Sequence, residues 1–146
     1  MQARHYYMTA ILNVRTGGAI EIALEEALEL LRLSRGDNLG VRSQVPALYL
    51  RLDRDQEVYD FIKWYAMKGD SKYEWHNTRL LFLDLKGEDT FEVVIEKPHY
   101  FDVSFKMALT LIKIHLTKDL ESLHGFLQKK PNATGEERYD YLQQRP

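Results

Sequence analysis

Apolar side chains along this chain recur mainly at three- and four-residue intervals, the period of a helix laid against a core. The pattern is cleanest from Ala19 to Arg35. There Ile20, Ala23, Leu24, Ala27, Leu28 and Leu31 share a stripe, and Glu21, Glu25, Glu29 and Arg32 take the opposite face. A shorter run over residues 3–14 carries Tyr7, Ile11 and Val14 at the same spacing and stops at Gly17-Gly18. Gly36-Asp37-Asn38 then closes the strong helix with a residue that tolerates the left-handed region, and Asp37 or Asn38 is placed to cap the next one. That third helix is expected over Leu39–Leu52, with Val41, Val45, Leu48, Tyr49 and Leu52 inward. Pro46 lacks a backbone donor and crowds the preceding turn, so a kink is expected at Gln44-Val45. Asp53-Arg54-Asp55 breaks the run and Asp55 offers a cap. A fourth helix follows with Val58, Phe61, Ile62 and Tyr65 on one stripe and charge on its other face.

From Lys68 to Pro98 the helical period is lost. Two short apolar runs, Leu80–Leu85 and Phe91–Ile95, flank Lys86-Gly87-Glu88-Asp89, which reads either as a β-hairpin near 80–96 or as an extended loop packed on the helices. Past Pro98 the period returns through Phe105, Ala108, Leu109, Ile112, Leu116, Leu120, Leu123 and Leu127, with Asp102 or Ser104 as cap. Met107, Leu111 and Ile114 widen this stripe, so the first half of the long helix is expected to be largely buried. A polar tail opens at Pro131-Asn132 and has room for a short turn over Glu136–Leu142. The pattern therefore predicts one mostly all-α domain. Helices span 1–67, an irregular segment 68–98, a long C-terminal helix 99–130 and a polar tail 131–146.

Composition narrows the function. A chain of 146 residues, 45% hydrophobic, matches one domain with one core. Twenty Lys+Arg are intermixed with 22 Asp+Glu for a net charge of −2, which lacks the basic footprint of a nucleic-acid or anionic-membrane binder. With no cysteine there are no disulfides, thiolate zinc sites or cysteine nucleophiles. The first twelve residues do not read as a secretory signal, and Phe101–Leu116 is too interrupted by Asp102, Lys106, Lys113 and His115 to span a membrane. A cytoplasmic or nuclear setting is expected, which also sets aside the formal glycosylation match Asn132-Ala133-Thr134.

Residues 19–66 resemble a tetratricopeptide-type helical repeat. The resemblance is carried by Ala23-x3-Ala27, by Asp37-Asn38-Leu39-Gly40-Val41-Arg42 between repeats, and by Leu52-Asp53-Arg54-Asp55-Gln56-Glu57 within one. It implies stacked antiparallel helix-turn-helix units of about 34 residues, with Val45, Tyr49, Val58, Ile62 and Tyr65 at packing positions, and a surface that holds a protein or peptide. Pro46, Asp53 and Val58 depart from the family, which prefers a small residue, Gly and Ala there. One full repeat and a preceding half are recognisable where about three are usual, so the first and last helices, or a partner, must close the ends. Asp60-Phe61-Ile62-Lys63-Trp64-Tyr65 with the Leu-Asp-Leu-Lys segment and the Leu-Thr-Leu-Ile-Lys-Ile helix is also similar to a group of uncharacterised fungal proteins, a likeness that implies no function.

Candidate chemistry is thin. His115 and His124 lie nine apart and face differently, and no His-x3-His or His-Glu-x2-His spacing exists, so no metal or other cofactor is expected. Gly36–Gly40 lacks the Lys-Ser/Thr of a phosphate loop. Glu74 and His76 beside Trp75 suit solvated residues around a docked tryptophan better than an acid/base pair. Nine tyrosines, six phenylalanines and two tryptophans exceed what a small helical core needs. Trp64, Tyr73 and Trp75 therefore serve either as interface aromatics or as staples for the irregular segment. Arg42, Arg51, Arg54 and Lys63 form either a cationic clamp for a peptide or a solvated face. The expectation is a non-catalytic interaction module that binds a protein, a peptide or itself through the concave face of its first and third helices or through the aromatic loop. The alternatives are a structural subunit of a larger assembly and a small enzyme with a site in 70–102, near His76 and His99.

Overall fold

Thr16 starts the best-formed helix of the chain: its hydroxyl accepts a hydrogen bond from the Ala19 amide (3.2 Å), satisfying one of the N–H groups a helix leaves unpaired at its start. The computed structural model describes residues 1–68, 73–92 and 103–144. Among them are six helices and no strand: α1 (Gln2–Leu12), α2 (Gly17–Leu33), α3 (Val45–Leu50), α4 (Asp55–Lys68), α5 (Val103–Lys129) and α6 (Gly135–Gln143). The protein is thus mostly helical, and none of the described helices is long and apolar enough to cross a membrane. Residues 80–92 run as turns and bends, and the remainder of the expected hairpin, 93–96, lies outside the described residues. Gly69-Asp70-Ser71, His99 and the expected cap Asp102 lie outside them too.

The described chain divides into two compact units, Met1–Leu109 and Thr110–Pro146. In the first, α1 packs on α2, α2 on α3 and α3 on α4. The four-residue connection between α1 and α2 sets them antiparallel, and the Arg4–Glu26 ion pair (2.7 Å) joins the start of one to the latter half of the other. Ala23 and Ala27 on α2 are completely buried, which is what a close helix approach requires. Met8 alone of α1 is buried, while Tyr6 and Tyr7 stay 66% and 52% exposed.

The expected third helix and its kink are corrected. Helix α3 begins only at Val45, with Pro46 in its first turn, where the missing N–H costs nothing and the fixed φ suits entry. Upstream, Asp37 (φ 53°) and Gly40 (φ 69°) both adopt the left-handed region, which breaks any helix from Leu39. The Asp37 carboxylate accepts from the Val41 and Arg42 amides (2.7 and 3.0 Å), so it caps the turn that leads to α3.

Helix α4 is buried almost all round. Val58, Ile62 and Phe61 face one way as expected, but Tyr59, Asp60 and Trp64 are covered as well, so its second face is not solvated. Phe105 of α5 completes this core, its ring 6.0 Å from that of Phe61 and 5.9 Å from that of Tyr65. The expected burial of the first half of α5 is also corrected. Phe105, Ala108 and Ile112 are buried, yet Met107 is 61% exposed and Leu111 and Ile114 are exposed too, because the buried stripe is a single row wide.

The second unit holds the rest of α5 and α6. The Phe126 and Tyr141 rings stack with centroids 4.3 Å apart, and the Ser122 and Tyr141 hydroxyls lie within hydrogen-bonding distance (3.0 Å). Thr134 and Glu137 form a reciprocal capping box at the start of α6, so the short turn expected over 136–142 is a helix of nine residues.

Candidate functional site

Arg35, just beyond the C-terminus of α2, organises the segment 73–92 around itself. Its guanidinium donates to the Asn77, Thr78 and Leu80 carbonyls at 2.9–3.1 Å and to the Tyr73 hydroxyl at 3.1 Å, and lies 4.9 Å from the Phe82 ring centre. The planar fork of arginine, buried to 9% exposure, meets four acceptors that would otherwise be costly to cover. The Tyr73 hydroxyl in turn donates to the Leu81 carbonyl (3.0 Å).

Helix α4 holds the rest of the segment. Asp60 accepts from the Gly87 and Glu88 amides (2.8 and 2.9 Å), while Gln56 donates both to Asp60 and to the Glu88 carbonyl (3.0 Å each). Trp64, fully buried, donates from its indole nitrogen to Asp84 (2.8 Å). Tyr59 donates to Glu92 (2.7 Å), and burial followed by that carboxylate pushes its pKa well above the usual tyrosine range. Lys63 pairs with Glu88 (2.6 Å) and Glu92, and its hydrogen bonds to both carboxylates raise its pKa.

The expected binding residues therefore separate. Trp64, Tyr73 and Trp75 are brought together, with Tyr73 and Trp75 edge-on to Trp64 at 5.2 and 6.3 Å, but as an internal cluster in which Phe82 also meets Trp64 at 4.9 Å. Trp64 is fully buried there, while Tyr73 and Trp75 are half-buried. Lys63 is neutralised within the same construction. Arg42 lies over the Tyr65 ring (5.2 Å), and Arg54 over Tyr49 (5.1 Å) while pairing with Glu57 (2.8 Å). Arg51 is exposed after α3. Arg42, Arg54 and Lys63 thus each contact different side chains. Glu74 accepts from Asn77 (2.9 Å), and both it and His76 are exposed. Among the described residues no group of three His, Cys, Asp or Glu is arranged to hold a metal ion.

Residues 82–87 form one wall of an open cleft of about 600 Å³ against α2, α3 and α4. Its floor is apolar: Leu28, Tyr49, Phe61, Phe82, Leu83 and Leu85. Arg32, Arg54 and Lys86 stand around it with Glu57 and Asp60. Leu83 holds φ at 51°, a left-handed conformation that costs a bulky residue about 1–3 kcal/mol and persists only where its surroundings impose it. Sequence reading missed Arg35, Asp60, Leu83 and the cleft. One signal was present: Gln56, Asp60 and Trp64 recur every four residues, so a carboxylate shares a helical row with a tryptophan and needs a covering donor. Compared with known proteins, the chain matches no family model, no curated protein and no solved structure.

Proposed function

We propose that this chain is a non-catalytic protein–protein interaction module of the tetratricopeptide-like helical-repeat type, working in the cytoplasm or nucleus. The observation that carries the reading is the outward face of α1, where Tyr6 and Tyr7 stand exposed beside Ala3 and Ala10 on a helix that uses only Met8 for its own core. Exposed tyrosines on a rigid element deliver large contact area at low entropic cost, the composition of an interface centre. The short-turn helix pairs α1–α2 and α3–α4 support the repeat-like part of the reading. So does Asp53, whose φ of 54° is the left-handed geometry that the family's glycine serves. The partner is another protein's apolar helix or strand laid along α1.

The test places a photo-crosslinking amino acid at Tyr6 and, as a control, at exposed Glu25 on α2. A stoichiometric adduct from position 6 that is absent from position 25, and lost in Tyr7→Glu, is the expected result. Equal background labelling at both sites, with a chain that sediments as a monomer, overturns it.

A second reading, a permanent structural subunit, is favoured by Leu111, Ile114 and Leu120, apolar side chains left 42%, 43% and 53% exposed on the part of α5 in the second unit. A cooperative melt independent of protein concentration counts against it.

A further inference from the structure

We propose that the cleft between α2, α3, α4 and residues 82–87 is a binding site for a small amphipathic monocarboxylate, a medium-chain fatty acid being the simplest example. This goes beyond the interaction reading and uses a different surface. The volume, about 600 Å³, falls within the roughly 300–1,000 Å³ of small-molecule sites, and a continuous apolar floor with a few polar groups is their usual lining. Three leucines, Leu28, Leu83 and Leu85, together with the rings of Tyr49, Phe61 and Phe82, offer an alkyl body a dry surface. None of these six supplies a charge, so a polar head has to sit among the charged groups of the lining.

Those groups select the charge of the head. Arg32, Arg54 and Lys86 line the cleft with Glu57 and Asp60, and Glu29 pairs with Arg32 beside it, so the local charges balance and Lys86 is the cation left without an ion pair among the described residues. An unpaired Lys86 suits the single charge of a carboxylate head, and the apolar lining offers a strongly hydrated phosphate dianion nothing to bury. Asp60 has its oxygens occupied by the Gly87 and Glu88 amides and by Gln56, so it cannot recruit Lys86, which makes no ion pair among the described residues. Arg32 and Arg54, both exposed, are each held by a half-buried glutamate three residues away, Glu29 and Glu57. Pairs of that kind contribute little and exchange readily for a ligand carboxylate.

The site is also shaped before any ligand arrives. Asp60 fixes Gly87 and Glu88, Arg35 fixes the carbonyls of 77, 78 and 80, and between these anchors Leu83 is kept in its left-handed conformation with its residue in the wall. A wall held at both ends loses little freedom on binding.

Decanoate, below its micellar concentration, is titrated into the full chain and followed by methyl and amide NMR. Saturable shifts confined to Leu28, Leu83, Leu85 and Gly87 are expected, with intermolecular contacts from the decanoate chain to the Leu28 methyls. Decanol is expected to bind at least tenfold more weakly, and inorganic phosphate to leave these signals unmoved. In the double variant Arg32→Gln, Lys86→Gln, both exposed positions, decanoate affinity should fall tenfold or more while the unliganded spectrum is preserved. Shifts absent from the cleft, spread over the exposed apolar residues of α1 and α5, or equal for decanol and decanoate, overturn the proposal. An unchanged decanoate affinity in the double variant does so as well.

Discussion

The buried Tyr65 hydroxyl has no hydrogen-bond partner among the described residues, and the side chain, 1% exposed, is pressed between Trp64, Phe61 and Phe105. Burial pushes its pKa well above the ordinary tyrosine value, against the opposing pull of Arg42. A phenol whose folded pKa is raised favours the neutral form. Its contribution is therefore complete below about pH 10, where the unfolded chain ionises, and falls away as the pH climbs toward the folded value, by about 1.4 kcal/mol per unit. Tyr65→Phe is expected to stabilise the protein by about 0.5–2 kcal/mol at neutral pH, since it removes an unmet polar group, and to flatten the alkaline limb of a stability–pH curve measured by urea unfolding. Greater alkaline sensitivity in the variant would contradict this. Arg35 gives the opposite case. Arg35→Lys keeps the charge and loses the fork, leaving at least one of four acceptors unmet, and should cost about 1–3 kcal/mol in the same experiment. Neither role is visible in the sequence, where Arg35 reads as a C-terminal helix cation and Tyr65 as one more aromatic. Each depends on what the distant segment 73–92 brings to it.

Helices were legible where the apolar period was long and undisturbed. The stripe of α2 agrees with the structure, although the helix includes Gly17-Gly18 and ends at Leu33, capped by Ser34, rather than running from Ala19 to Arg35, and α4 lies where its pattern placed it. The third helix was not, because other residues compete with periodicity: Pro46 is as good at starting a helix as at kinking one, and Asp37 and Gly40 settle the matter by leaving the helical region. The segment 73–92 was harder still, since it takes its form from side chains of α2 and α4 and has no period of its own. At the far end, α6 relies on local chemistry. Its only reciprocal cap is Thr134 with Glu137, and none of its residues is buried. Thr134→Ala is expected to cost about 1 kcal/mol of local helix stability, read as faster amide exchange over Glu137–Tyr141 with the exchange of α2 unchanged. Equal acceleration in both helices would show α6 to be more widely coupled.

At the scale of the whole molecule, both tryptophans belong to the first unit, while the second is built on one ring stack and a capped helix. Thermal unfolding followed by tryptophan fluorescence should therefore lag behind the loss of helical ellipticity, because the second unit frays without moving Trp64 or Trp75. Coincident curves would mean a single cooperative body. The proposed binding site in the cleft depends on residues 73–92 being a fixed wall. Amide hydrogen exchange at Gly87 and Glu88 examines that wall at its anchor on Asp60. If the wall is held as described, both amides exchange roughly a hundredfold or more slower than in an unstructured peptide, and Asp60→Asn releases them. Exchange at the free-peptide rate in the unmodified protein would mean that the wall, and the cleft behind it, is not preformed.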